Sequence, residues 1–316
     1  MGSRIRWAAR AVAAVVPVGV LLASCSSSHS SSRQASAADS LIPQGSYVAL
    51  GDSYTSGAGI PDPAGDPRGC WRSTHDYPAL VAQSLHIGKG DVHDVSCQGA
   101  TIADLSASQS TGDGTNPAQL DALSAGTSLV TLGIGGNDVD FVSTLTRCAT
   151  FDLAPALIGG KASDIAPCRD SYTTGGTDRI KQKIDATAGH LDEVLKQIRG
   201  RAPHARILVV GYPALFPAGG AACAHTFGIT PGDVGFLNDK EVQFNSMLRQ
   251  HATAAGAEYV DTYTPSVGHD ACSDPDTRWI EPLVPALPAA PLHPNARGAQ
   301  GMADAIARAV GTTAAS

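Results

Sequence analysis

Ser53 ends the run Tyr47-Val48-Ala49-Leu50-Gly51-Asp52-Ser53. A short apolar stretch of this kind suits a strand buried in a parallel sheet, and the glycine breaks it. A serine at the carboxyl end of such a strand stands where open α/β sheets hold their ligands. With a base beside it, its hydroxyl is a nucleophile for a carbonyl carbon. The competing reading is a strand followed by an ordinary polar turn. Asp52 is not that base, because neighbouring side chains on a strand end point apart. Two further turns of small and polar residues come after apolar runs, Gln98-Gly99-Ala100-Thr101 and Gly135-Gly136-Asn137-Asp138. One histidine, His293, precedes Pro294 and Asn295 where a long loop enters a helix.

These residues need a frame that brings them together. Strands are expected at Tyr47 to Leu50, Val92 to Cys97, Ser128 to Ile134, Arg206 to Tyr212 and Glu258 to Tyr263. Helices are expected at His75 to Leu85, near Pro117 to Leu123, over Thr177 to Arg199, over Pro231 to Ala255, and from Pro294 to about Val310. The third is the clearest, with Ile180, Ile184, Ala188, Leu191, Val194, Leu195 and Ile198 at helical spacing. Its stripe is a core face. Residues 60–73 and 264–292 are proline-rich loops, and Trp279 in the second is either a pocket liner or a packing anchor. The segment Cys148 to Gly176 has scattered glycines and little periodicity, so a disulfide-pinned excursion is expected. Parallel strands joined by helical crossovers put the turns carrying Ser53, Gly99 and Asn137 on one edge of the sheet.

The chain of 316 residues is 43% hydrophobic and 16% charged with 34 glycines, which fits a compact α/β domain over 41–312 and is too apolar for a disordered chain. Residues 1–24 read as an export signal, with Arg4, Arg6 and Arg10 before the short apolar run Ala11 to Leu22. The run ends Leu22-Ala23-Ser24-Cys25, which resembles a bacterial lipoprotein box in which Cys25 is lipidated; a competing cleavage site is Ala35-Ser36-Ala37. Residues 25–40 would then be a lipidated cysteine and a serine-rich disordered tether. Losing the three arginines of the signal and no acid takes the net charge from −7 to −10. Nucleic acid is therefore not expected as a partner, and a membrane only through acyl chains on Cys25. The other six cysteines are an even number in an exported chain. Without a C-x-x-C pair they do not suggest a metal site. The spacing does not choose among the possible pairings. The sequential one, Cys70–Cys97, Cys148–Cys168 and Cys223–Cys272, is the working expectation, since each bond would staple one loop region.

The four stations, Gly51-Asp52-Ser53-Tyr54, Gly99, Gly135-Gly136-Asn137-Asp138 and His293-Pro294-Asn295, stand in an order that resembles the SGNH hydrolases, the GDSL-type esterases and lipases. Among these, the chain is similar to the exported actinobacterial type with several disulfides. The resemblance covers about Tyr47 to Val310. It implies a three-layer α/β/α sandwich with a flavodoxin-like parallel sheet of about five strands, and a monomeric serine esterase or lipase with no cofactor and no metal. Ser53 would be the nucleophile and His293 its base. The Ser53 and Gly99 N–H groups and the Asn137 amide would form the oxyanion hole, with Asp138 structural. One departure matters. Much of this family has an aspartate three residues before the histidine, and here that position is Ala290. A backbone carbonyl of Ala290 or a neighbour is the expected orienter of the imidazole, ahead of a loop acid such as Asp270, Asp274 or Glu281. The stretch Gly51-Asp52-Ser53-Tyr54-Thr55 also lacks the G-x-S-x-G elbow, which weakens an ordinary α/β-hydrolase reading. The expected substrate is a lipid-type or short-chain ester met on the cell surface or outside the cell. An acetylated glycan, a thioester, or a catalytically silent lipid-binding lipoprotein are the alternatives.

Overall fold

A computed structural model describes residues 45–158, 165–217, 223, 226 and 228–312. The expected export signal, the lipidated Cys25 and the tether lie outside these residues. In chain order the strands are β1 (Ser46–Gly51), β2 (Val92–Asp94), β3 (Gln109–Thr111), β4 (Gly114–Asn116), β5 (Thr127–Gly133), β6 (Arg206–Val210) and β7 (Glu258–Val260). Five of them form one parallel sheet in the order β2-β1-β5-β6-β7, while β3 and β4 pair as a separate antiparallel hairpin. Numbered among themselves, the five run 2-1-3-4-5, the flavodoxin-like order. Strands β1 and β5 pair from Tyr47↔Leu129 to Gly51↔Gly133, so this register ends both at the same level.

The nine described helices are α1 (Ser53–Ser56), α2 (Tyr77–Ser84), α3 (Ile102–Ser106), α4 (Phe141–Ile158), α5 (Pro167–Tyr172), α6 (Arg179–Arg201), α7 (Pro231–Ala254), α8 (Tyr263–Ser266) and α9 (Ala296–Thr312). Alternation along the strands builds the layers, because successive side chains point to opposite faces. Val48, Leu50, Val130, Leu132 and Val209 join a core with Leu105 of α3, Leu145 of α4, Leu191 of α6 and Phe244 of α7. Tyr47, Ala49, Leu129, Leu208 and Val210 face the other way, onto Val81 of α2 and Ile306 of α9. The result is the expected three-layer sandwich. Helix α6 shows why such elements form. Asp178 caps it by accepting the Lys181 N–H at 2.9 Å, and its buried stripe of Ile180, Ile184, Leu191, Val194, Leu195 and Ile198 matches the sequence reading. Each such side chain contributes about 1.5–3 kcal/mol on burial.

Several elements differ from expectation, among them two helices and a strand. Residues assigned to a loop excursion after Cys148 contain most of α4 and all of α5. These helices are held by tertiary packing of Leu145, Cys148 and Cys168 in the core rather than by a regular apolar stripe. Strand β2 stops at Asp94 instead of Cys97. The chain still runs alongside β1, since the Val95 and Cys97 N–H groups donate to Ala49 O at 3.1 Å and Gly51 O at 3.0 Å. It therefore arrives at Gly99 beside the end of β1. All three disulfides join in the sequential pattern, Cys70–Cys97, Cys148–Cys168 and Cys223–Cys272. Among the described residues, no helix is long and apolar enough to cross a membrane.

Candidate active site

Gly51 closes β1 where the strands crowd together: a Cβ there would lie 2.4 Å from Gly133 O. The Gln119 side chain grips the same residue from both sides, accepting the Gly51 N–H at 2.8 Å and donating to Gly51 O at 2.9 Å. Asp52 then caps α1, its Oδ1 accepting the Tyr54 N–H at 2.9 Å. Ser53 is the first residue of that helix, and a first-turn N–H has no acceptor within the helix. Among the described residues no acceptor takes up that N–H, which leaves it for a ligand oxygen.

His293 comes from the other end of the chain. Its Nε2 lies 2.7 Å from Ser53 Oγ and its Nδ1 lies 2.6 Å from Pro291 O. A carbonyl only accepts, so Nδ1 carries the proton and Nε2 is the bare nitrogen that accepts the Ser53 hydroxyl hydrogen. The carbonyl expected in this role was that of Ala290 or a neighbour: Ala290 O accepts the backbone N–H of His293 at 3.2 Å, and its neighbour Pro291 supplies the carbonyl that meets the ring. Leu292, in the left-handed region at φ 64°, turns the chain so that the imidazole folds back over Pro291. The segment is fixed further by Glu281 N–H to His293 O and Leu292 N–H to Glu281 O, both 3.0 Å. Tyr54, one residue after the serine, donates its hydroxyl to Leu292 O at 2.5 Å and packs its ring 4.9 Å from the imidazole.

None of the three loop acids bonds to His293. Asp270 accepts the Cys272 N–H at 2.9 Å and Asp274 the Asp276 N–H at 2.9 Å. Glu281 is fully buried and holds Arg278 Nε at 3.1 Å, Asn295 Nδ2 at 2.8 Å and the N–H groups of Ala286 and Leu287. It organises the loop rather than the ring.

On the opposite side, Gly99 adopts φ 74°, a conformation glycine takes without strain, and no acceptor among the described residues takes up its N–H. Asn137 donates one amide hydrogen to Ala100 O at 2.9 Å, and no acceptor among the described residues takes up the other. Asp138 caps α3 through Ile102 N–H at 3.1 Å, the structural role expected of it. Ser53 and Asn137 line one cavity together with Tyr54, Phe141, Val142, Tyr212, Glu241 and Phe244. It is narrow, with a volume of about 30 Å³, and its walls are mainly aromatic and aliphatic, with the Asp52 and Glu241 carboxyls among them. Trp279 is not among them; it stacks on His269 with ring centroids 5.0 Å apart.

Burial sets the titration of the site. It lowers the His293 pKa from its ordinary 6.5, against the opposing pull of the Pro291 carbonyl, and so favours the neutral base. Burial also raises the Asp52 carboxyl to about 7, although the Tyr212 hydroxyl and the Tyr54 N–H pull it down. Tyr212 hydrogen-bonds to Asp52 Oδ2 and accepts the Gly136 N–H at 3.0 Å, tying the serine turn to the asparagine turn. Tyr54, Gln119 and Tyr212 do not stand out in the sequence as site residues. Tyr212 carries a readable signal, since it ends an expected strand on the same edge as the other stations.

The family model for GDSL-like lipases and acylhydrolases matches residues 49–300. Lipase 2 of Streptomyces coelicolor is 42% identical over 262 residues, covering 82% of this chain and 83% of that one. Among solved structures, the extracellular lipase of Streptomyces rimosus has a TM-score of 0.66 at 29% identity, covering 84% of this chain and 99% of that one. Phospholipase A1 from Streptomyces albidoflavus is as similar, with a TM-score of 0.66 at 29% identity over 83% of this chain and 98% of that one.

Proposed function

The chain belongs to the GDSL-like lipase/acylhydrolase family and is a carboxylic ester hydrolase, and from that footing we propose that it is an exported esterase or lipase working through a Ser53–His293 dyad. The observation that carries this reading is the 2.7 Å contact between Ser53 Oγ and His293 Nε2, with Nδ1 held by Pro291 O at 2.6 Å. In acylation, Ser53 Oγ attacks the ester carbonyl carbon while its proton passes to His293 Nε2. The new oxyanion accepts hydrogen bonds from the Ser53 and Gly99 N–H groups and the free Asn137 amide hydrogen. Collapse breaks the bond to the alcohol, which leaves with the proton from Nε2. A water then loses its proton to Nε2 and attacks the acyl carbon; collapse breaks the bond to Ser53 Oγ, which takes the proton back from Nε2 as the acid is released.

The aromatic and aliphatic side chains beside Ser53 support an aliphatic acyl group as the part of the substrate that packs against them. Export rests on the sequence of residues 1–24, followed by anchoring at Cys25 through the tether to residue 40 and a catalytic domain over 41–312; the extracellular relative is in keeping with it. The test is hydrolysis of p-nitrophenyl esters of increasing acyl length by the chain and by Ser53→Ala. Hydrolysis is expected to vanish with Ser53 and to extend past acetate to longer acyl groups. Rates equal in both proteins would overturn the serine mechanism, and activity confined to acetyl or thioester substrates would overturn the lipid-type assignment.

A further inference from the structure

From Pro282 to Pro291 the chain carries no charged residue, and prolines stand at 282, 285, 288 and 291. Val284 in this loop is 83% exposed, and Ala286, Pro288 and Pro291 are exposed as well. Single exposed apolar residues are ordinary on protein surfaces. A continuous uncharged stretch held up by its own framework is not. The base of the loop is closed by the Glu281–Leu292 and Glu281–His293 backbone bonds, and the Glu281 carboxylate reaches up to the Ala286 and Leu287 N–H groups at 2.9 and 3.2 Å. Proline and these bonds remove the conformational freedom that would otherwise oppose inserting the loop into another phase.

The loop also borders the catalytic centre. It ends at Pro291, whose carbonyl holds His293, and Ala290 donates its N–H to Ala58 O at 2.8 Å, five residues after the nucleophile. The segment beyond Ala58 lines a surface depression together with Arg68, Arg72 and Trp71, the last 49% exposed. Indole is the side chain that best tolerates an apolar body with a wet edge, as at a lipid–water boundary. We propose that the 282–291 loop, with Trp71 across the rim, is a docking surface for an uncharged or zwitterionic lipid aggregate that delivers ester to Ser53. The inference rests on the lipid-ester reading above. A lipid surface fits better than a protein, because a stable partner or second copy seated beside His293 would obstruct the path to Ser53, whereas a lipid surface supplies substrate through the same contact. The net charge of −7 disfavours an anionic bilayer as the target.

The test uses the full chain with Cys25→Ser, so that no acyl anchor forms, beside the same chain with Val284→Asp and Ala286→Asp. Binding to phosphatidylcholine vesicles is expected to weaken about tenfold or more in the variant, since two carboxylates must be desolvated where a buried valine contributed. Hydrolysis of a long-chain ester carried in those vesicles falls with it, while kcat/KM on dissolved p-nitrophenyl butyrate stays within about twofold. In a separate Val284→Trp variant, emission shifts to the blue when vesicles are added. Unchanged vesicle binding, equal losses on dissolved and vesicle-borne ester, no emission shift, binding that requires phosphatidylglycerol, or a dimer dissolved by the aspartates would each overturn the proposal. Failure of the functional reading is separate: it appears as butyrate hydrolysis that survives Ser53→Ala.

Discussion

The carbonyl of Pro291 and a carboxylate in the same place do different work for the imidazole. Both fix the tautomer, but only the carboxylate adds a full charge to stabilise imidazolium. The base here is therefore tuned chiefly by burial, which lowers the His293 pKa. Protonated His293 cannot accept the serine hydrogen, so activity falls as pH drops through that pKa. The acid limb of kcat/KM against pH is expected below 6.5, the ordinary histidine value, and a limb above it would count against burial as the governing influence. Under the proposed oxyanion role, Asn137→Ala removes a donor that acts only as charge develops, and kcat should drop by about 10² to 10³ with KM little changed. Steady-state kinetics on one soluble ester measures both. At this scale the sequence was legible in two of the residues it singled out: Ser53 and His293, from opposite ends of the chain, meet in space. It did not reveal which carbonyl faces Nδ1, because that depends on the left-handed backbone of Leu292, and most non-glycine residues show no such preference in advance.

Strands and turns were readable where local pattern and tertiary context agree. The apolar runs ending at Gly51 and Gly133 became neighbouring parallel strands, and the stripe of α6 became a core face. Helix α4 and the β3–β4 hairpin were not readable. The first lacks a regular stripe, and the second is two three-residue strands whose pairing is a local event without an apolar signature. Glu281 is the element-scale counterpart of the same problem: by sequence it is a candidate orienter of His293, and in the fold it serves as the internal brace of the loop. Glu281→Ala leaves the buried Arg278 and Asn295 side chains and two loop N–H groups without their acceptor, so a loss of about 3–5 kcal/mol is expected, with kcat falling as His293 loses its seat. Asp270→Asn and Asp274→Asn should leave kcat within about twofold. Thermal melts paired with kinetics separate the cases, and a collapse of kcat in either asparagine variant would point to a true third catalytic member.

Across the whole molecule, three covalent bonds reinforce the sandwich, and their pairing keeps the order of the chain because each closes a local excursion. Cys70–Cys97 spans 27 residues, and its removal by paired serine substitutions is expected to cost about 3 kcal/mol. A lowered Tm in calorimetry checks this, and an unchanged Tm would show that packing alone holds the segment. The same bond lies two residues before Gly99, and the Gln98 N–H donates to Cys70 O at 3.0 Å, so the donor turn is fastened to the loop that carries Trp71. Loss of the bond should therefore lower kcat as well as stability. That coupling has a bearing on where the enzyme can act. Thiols stay reduced in the cytosol and are joined outside it. On the proposed export, a newly made chain would reach full strength only after leaving the cell that made it, and esters inside the producer would meet a weaker catalyst than those of its surroundings.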